Sequence, residues 1–132
     1  MNYYSLTESA ISKLILASTT IMGKAKCVKS GFQDLKSYAG KLPGIGVKCI
    51  DVDRSDDGKI VCRGVCEVVA SGEFAAGMPS VEEIACMVLD LLNDYPSGWN
   101  GYIFSGSGIK EMTGQYDEHY VTLCHVNFTF EP

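Results

Sequence analysis

Residues capable of chemistry gather at a few places in the sequence, and at each the spacing falls short of a working site. Asp117, Glu118, His119 and His125 are close enough along the chain to hold a metal or form an acid–base pair. His119 falls in a polar segment and His125 within an alternating one, which predicts an exposed loop histidine and a sheet-surface histidine. Ser105 and Ser107 border Gly106 and Gly108 without completing the Gly-x-Ser-x-Gly turn that presents a nucleophile. The same glycines with Gly114 miss the G-x-G-x-x-G spacing that brings backbone amides to a pyrophosphate. Asp51, Asp53, Asp56 and Asp57 offer carboxylates for calcium, but the later bidentate Glu of an EF-hand loop does not follow. A solvated hairpin tip is the expectation there, and the whole set predicts a protein that is not an enzyme and holds no metal or cofactor.

Six cysteines (Cys27, Cys49, Cys62, Cys66, Cys86 and Cys124) include no Cys-x-x-Cys knuckle of the kind zinc prefers. The first residues, Met1 to Ser9, lack a basic segment and carry Glu8, so no secretory signal is expected. Without export, an even cysteine count is no sign of disulfides, and most of these thiols are expected to be small buried hydrophobes. The apolar stretch Ile11 to Met22 contains Lys13 and is too short to cross a membrane.

The segment Ser37-Tyr38-Ala39-Gly40-Lys41-Leu42-Pro43-Gly44-Ile45-Gly46 admits two functions. Leu-Pro-Gly-Ile-Gly resembles the hairpin of a helix-hairpin-helix DNA-binding module, where glycines let amides approach a phosphate. The following Val47-Lys48-Cys49-Ile50-Asp51-Val52-Asp53 is β-branched and ends in acids, whereas a second DNA-binding helix wants helix formers and bases. A strand beginning near Gly46 is the expectation.

The elements that must position these residues follow from pattern. Ser5-Leu6-Thr7-Glu8 has the form of a capping box, predicting a helix from about Leu6 to Ser18, and Gly23 with Lys24, Lys26 and Lys29 brings the chain to the surface. Phe32 to Tyr38 is a helical turn or a strand. The strand from Gly46 meets its return strand, Lys59 to Ala70, through the Asp-Gly turn at Asp57-Gly58. Cys62, Gly64, Cys66 and Val68 form the smaller, more apolar face of that return strand. Ser71 to Gly77 reads as a mobile loop. Ser80-Val81-Glu82-Glu83 is a second capping box, and Ile84, Met87, Val88, Leu91 and Leu92 make a helical stripe. Trp99 to Ser105 reads as a strand with Gly106-Ser107-Gly108 as its exit. Tyr120 to Glu131 alternates, with Thr122, Cys124, Val126, Phe128 and Phe130 on one face. The expected fold is a single α+β domain over residues 1–132: one mixed, mainly antiparallel sheet of about four strands packed on two helices.

Charge is uneven. Residues 1–66 carry a net +4 and residues 67–132 a net −9, within a total of −5. An acidic chain is a poor non-specific nucleic-acid binder. The asymmetry allows subunits to attract one another head to tail, although halves of a sequence need not map to opposite surfaces. Tyr95, Trp99, Tyr102, Phe104, Tyr116 and Tyr120 add aromatic surface of the kind found at protein interfaces.

The Leu35-Lys36-Ser37-Tyr38-Ala39-Gly40-Lys41-Leu42 segment is followed by Pro43 and a strand. Next come a valine-rich strand, a Gly/Ala loop from Gly72 to Gly77, the helix Val81 to Asn93 with its Val-Leu-Asp-Leu-Leu-Asn-Asp end, Trp99, and the strand Val121 to Phe130. In this order the chain resembles the tail terminator (tail-completion) class of Mu-like and other contractile-tailed bacteriophages. The cysteines and a long Gly106–Glu118 loop depart from that pattern. The resemblance implies a structural protein of the virion tail, assembled in the host cytoplasm. Such a protein forms a ring, usually of six copies, on the tail tube, ends tube and often sheath polymerisation, and presents a surface to the neck or head-completion protein. It implies neither a membrane partner nor specific nucleic acid. The alternatives are a head–tail joining or neck protein and the helix-hairpin-helix module. Under this resemblance the candidate interface comprises Lys24, Lys26 and Lys29, expected to pair with an acidic face of the next subunit. The hairpin residues Asp53, Asp56 and Asp57, and the loop residues Gly72, Glu73 and Phe74, would contact neighbours or the tube.

Overall fold

A computed structural model of the chain describes residues 1–31, 38, 41–71, 74–116 and 119–132, with the side chains of all of these except 71–80 and 111–122. Helix α1 spans Tyr3–Leu16, and its N-cap is Asn2, whose side chain accepts the Ser5 amide at 3.1 Å. The expected Ser5–Glu8 capping box is therefore displaced by one helical turn, because Asn is as good a cap as Ser and comes first. Ser18 caps the short α2, Thr19–Met22.

The sheet has five strands in the order β1-β2-β3-β5-β4. β1 (Cys27–Ser30) pairs parallel to β2 (Gly44–Arg54), which forms an antiparallel hairpin with β3 (Ile60–Ser71). Helix α3 covers Phe74–Asn93, and β4 (Ile103–Tyr116) and β5 (His119–Glu131) form a second long hairpin. Mixed α+β architecture agrees with expectation, but there are five strands and three helices rather than about four and two. β1 escaped notice because four residues, one of them Lys29, carry no usable alternation.

Two other segments differ from their sequence reading. α3 starts at Phe74, so Ser80 lies inside it and no loop occupies residues 74–77; Ala75, Ala76 and Met78 are strong helix formers that carry the helix back across Pro79. The segment read as a strand at Trp99–Ser105 followed by a loop at Gly106–Glu118 is mostly strand: β4 runs to Tyr116 through a bulge between Gly106 and Gly108. The glycines mark the bulge rather than an exit. Phe32 to Ser37 lie outside the described residues.

One sheet face is buried under α1 and α3. Ile45, Val47 and Cys49 of β2, Cys62, Cys66 and Val68 of β3, and Cys124, Val126, Phe128 and Phe130 of β5 meet Ile11, Leu14 and Ile15 of α1 and Ile84, Val88 and Leu92 of α3. Each fully buried Val, Leu, Ile or Phe contributes about 1.5–3 kcal/mol. Gly64 makes room for the Phe128 ring: a Cβ there would lie 2.5 Å from Phe128 Cζ.

Among the described residues the opposite face is covered at one end, where Tyr38 packs with Cys27, Val69, Leu123 and Leu42. Gly44 and Gly46 are the reason it fits. A Cβ at Gly44 would stand 2.5 Å from Tyr38 Cδ1, and one at Gly46 would stand 2.9 Å from Tyr38 Oη. The glycines of Leu-Pro-Gly-Ile-Gly thus form a trough for a tyrosine ring within a strand, not a phosphate-binding hairpin.

Five of the six cysteines are buried and all are free; Cys86 is exposed. Burial pushes the Cys66 thiol up to about 12 and, with the nearby Cys62, raises Cys49 to about 11. Burial likewise raises Cys27.

Tyr38→Ala is expected to cost about 3–5 kcal/mol, the range for deleting a buried aromatic ring. Gly44→Ala should also destabilise, and the double variant should cost less than the sum because the ring is what the new methyl meets. Urea unfolding of the three variants checks this. Stability should also fall in alkali. The unfolded thiols ionise from about pH 8.5 while Cys49 and Cys66 remain protonated in the fold, so the native state binds more protons. Their contribution is intact below that pH and is lost as pH rises through about 11 to 12, at up to about 1.4 kcal/mol per thiol per pH unit. Urea midpoints at pH 7 and pH 10 measure it.

Candidate interaction surfaces

The α2–β1 corner is basic. Lys24 Nζ reaches Glu83 Oε1 of α3 at 3.0 Å, tying the corner to that helix within one chain. Both partners are exposed, so the bridge contributes little. Lys26 and Lys29 project into solvent beside it. Lys24 is therefore already engaged, whereas Lys26 and Lys29 have no ion pair among the described residues.

The β2–β3 hairpin tip lies at the far end of these strands and is acidic. Arg63 lies 3.2 Å from Asp51 and 3.8 Å from Asp53. Asp56 is exposed at the turn. Gly58 has φ 84°, the left-handed conformation the turn requires. The Ser55 hydroxyl donates to the Asp57 carboxylate, which also accepts the Lys59 amide, and these bonds hold the Asp57 carboxyl below its ordinary value. The tip is thus a self-satisfied turn with acidic side chains directed outward. Gly72 and Glu73 lie outside the described residues, and Phe74 is the first residue of α3.

Across the sheet face opposite α1 and α3 runs a row the sequence reading missed. Lys29, Gly46, Glu67, His125 and Lys110 are successive cross-strand partners from β1 to β4. At its centre His125 Nε2 lies 2.8 Å from Glu67 Oε2, and Glu67 is only 3 % exposed. His125 is therefore not a plain surface histidine: it faces a buried carboxylate. Alternation alone put both residues on one face; their pairing depends on register, which no local signal in the sequence fixes. His119 begins β5 rather than sitting in a loop, and Asp117 and Glu118 lie outside the described residues.

The sheet edges are partly plugged by helix side chains. Beyond β1, Glu8 of α1 accepts the Cys49 amide of β2 at 3.1 Å and pairs with Lys48 at 3.5 Å. On the other side Asn93 of α3 accepts the Gly106 amide at 3.1 Å and donates to the Gly106 carbonyl at 3.2 Å, imitating a strand neighbour. Gly106 also lets the helix come close, since a Cβ there would lie 2.6 Å from Leu89 Cδ1. Edge groups occupied in this way cannot template another chain.

Ser105 Oγ bonds Thr129 Oγ1 at 3.0 Å and Ser107 Oγ donates to the Asn127 carbonyl at 3.4 Å, so both serines serve the β4–β5 ladder. No group of three His, Cys, Asp or Glu side chains among the described residues is placed to hold a metal ion. Among the same residues no helix is long and apolar enough to cross a membrane.

No protein-family model matches the chain, and no curated protein does. The fold does have a counterpart among solved structures. A chain from a structure described as the virion of a native gene transfer agent particle is similar with a TM-score of 0.57. The two chains share 16 % identity, and the match covers 94 % of this chain and 92 % of the other. At that identity the likeness is one of fold, and it extends over nearly the whole length of both chains.

Proposed function

We propose that this chain is a structural protein of a phage-like particle and acts as its tail terminator. In this reading it assembles in the host cytoplasm into a ring of about six copies on the end of the tail tube. The ring stops tube and sheath growth and offers a docking surface to the neck protein. The observation that carries the proposal is the whole-chain fold likeness to a virion chain of a gene transfer agent particle. Supporting it are a rigid five-stranded sheet, two sheet edges and a basic corner set apart from an acidic hairpin tip. Such a role draws on shape and charge, with no catalytic group, metal, cofactor, membrane or specific nucleic acid. Opposite charge at separate places favours head-to-tail contacts, which close into rings.

The test is tail length by electron microscopy after deleting the gene from the particle that encodes it. Overlong, headless tails are expected. Normal-length tails that fail to join heads would move the protein to the neck, and intact infectious particles would overturn a structural role.

A further inference from the structure

Two surface turns of this chain place glycine directly after Asp or Asn: Asp57-Gly58 and Asn100-Gly101. In such a pair the glycine nitrogen can reach the preceding side-chain carbonyl carbon, since glycine carries no side chain to hinder the approach. The fold guards the two turns differently. The Asp57 carboxylate accepts the Ser55 hydroxyl and the Lys59 amide, and the Gly58 amide donates to the Ser55 carbonyl at 2.9 Å. Attacking nitrogen and receiving carbon are both tied down there, and the same bonds keep the carboxyl ionised, a poor electrophile. At Asn100-Gly101 no hydrogen bond from a described residue engages the Asn100 side chain or the Gly101 amide. Both residues are exposed, and nothing lies within 4 Å of where a Gly101 Cβ would stand. The turn also borders a hollow of about 450 Å³ shared with Lys59 and Ile60, so water reaches it freely. The remaining asparagines are worse placed. Asn2 caps α1, Asn93 holds Gly106, and Asn127 precedes the bulky Phe128 within β5.

Little holds the turn shut. Asn100 and Gly101 have φ of 51° and 82°, the left-handed pair of a two-residue hairpin turn. Trp99 N donates to Tyr102 O at 2.9 Å and Tyr102 N to Trp99 O at 3.0 Å, an isolated bridge outside the named strands. A surface turn of this kind opens locally at small cost. We infer that Asn100-Gly101 is a site of spontaneous deamidation, and that its isoaspartyl product loosens the Trp99–Tyr102 end of the core. Hydroxide takes the Gly101 amide proton, and the nitrogen attacks Asn100 Cγ. As that C–N bond forms, the side-chain nitrogen is protonated by water and leaves as ammonia, giving a cyclic imide. Water then opens the ring. Cleavage between the nitrogen and Cγ leaves aspartate, whereas cleavage between the nitrogen and the backbone carbonyl carbon leaves isoaspartate. The net change is water in and ammonia out, with no electron transferred. Isoaspartate routes the chain through the side chain and inserts an extra backbone carbon, so the two Trp99–Tyr102 bonds no longer fit together. Both rings pack against the core, and the Tyr102 ring centroid lies 5.1 Å from that of Phe130.

The test holds the full folded chain at mildly alkaline pH and follows its peptides by mass spectrometry, with an isoaspartyl-specific methyltransferase scoring the linkage. Asn100 should convert at least about tenfold faster than any other asparagine, and than Asp57 isomerises. The rate should rise in proportion to hydroxide. Trp99 is the only tryptophan, so its fluorescence reads the turn directly. Emission should move to the red in the isoaspartyl fraction, separated by chromatography, as the ring gains water. It should stay in place in Asn100→Asp, which adds the charge without the extra carbon. Conversion of Asn100 only after unfolding in urea would mean that the folded turn is closed to attack, and would overturn the site. Conversion in the folded chain with Trp99 emission unchanged would overturn the loosening of the core.

Discussion

Everything in this molecule hangs on burying one face of the five-stranded sheet under α1 and α3. That face is built from small thiols and β-branched residues on β2 and β3 and from aromatics on β5, an arrangement that interdigitates at the density protein interiors require. Gly64 shows how tight the fit is, because Phe128 fills the space its missing side chain leaves. The cysteines belong to this packing: desolvation holds Cys66 in its neutral form, which suits a core position and not a reactive one.

With one face committed, the remaining problems are the other face and the two edges. The opposite face is covered at one end by Tyr38 seated over Gly44 and Gly46, and it carries a buried Glu67 answered by His125. A buried carboxylate is tolerable only with such partners. The edges are handled by the helices themselves. Glu8 and Asn93 each leave their own helix to satisfy strand backbone, so the two layers are joined by polar contacts at their margins as well as by apolar burial between them.

Much of this was legible in the residues. The apolar stripe of α3, the β2–β3 hairpin with its Asp-Gly turn, the small apolar face of β3 and the alternation of β5 all lie where pattern places them. The misreadings share a cause. Ser5-x-x-Glu8 has the pattern of a cap, yet Glu8 is drawn off by the Cys49 amide, a partner 41 residues away. Gly106 and Gly108 look like a strand exit, yet the β5 ladder runs straight past them and absorbs the extra residue as a bulge. Of the candidate contacts, Lys26 and Lys29 are exposed as expected, while Lys24 is held by Glu83 of its own chain. The β4 edge went unnoticed because an edge is a property of strand order, not of any strand.

The sequence by itself determined the class of fold, the identity of the buried face and the poverty of catalytic spacing, because periodicity and composition are local and additive. Tertiary structure alone decided the strand order, the parallel β1, the Glu67–His125 pair and which strands lie at the sheet margins. These depend on register and on contacts between residues distant in the chain, whose closure entropy is offset only once the whole sheet forms.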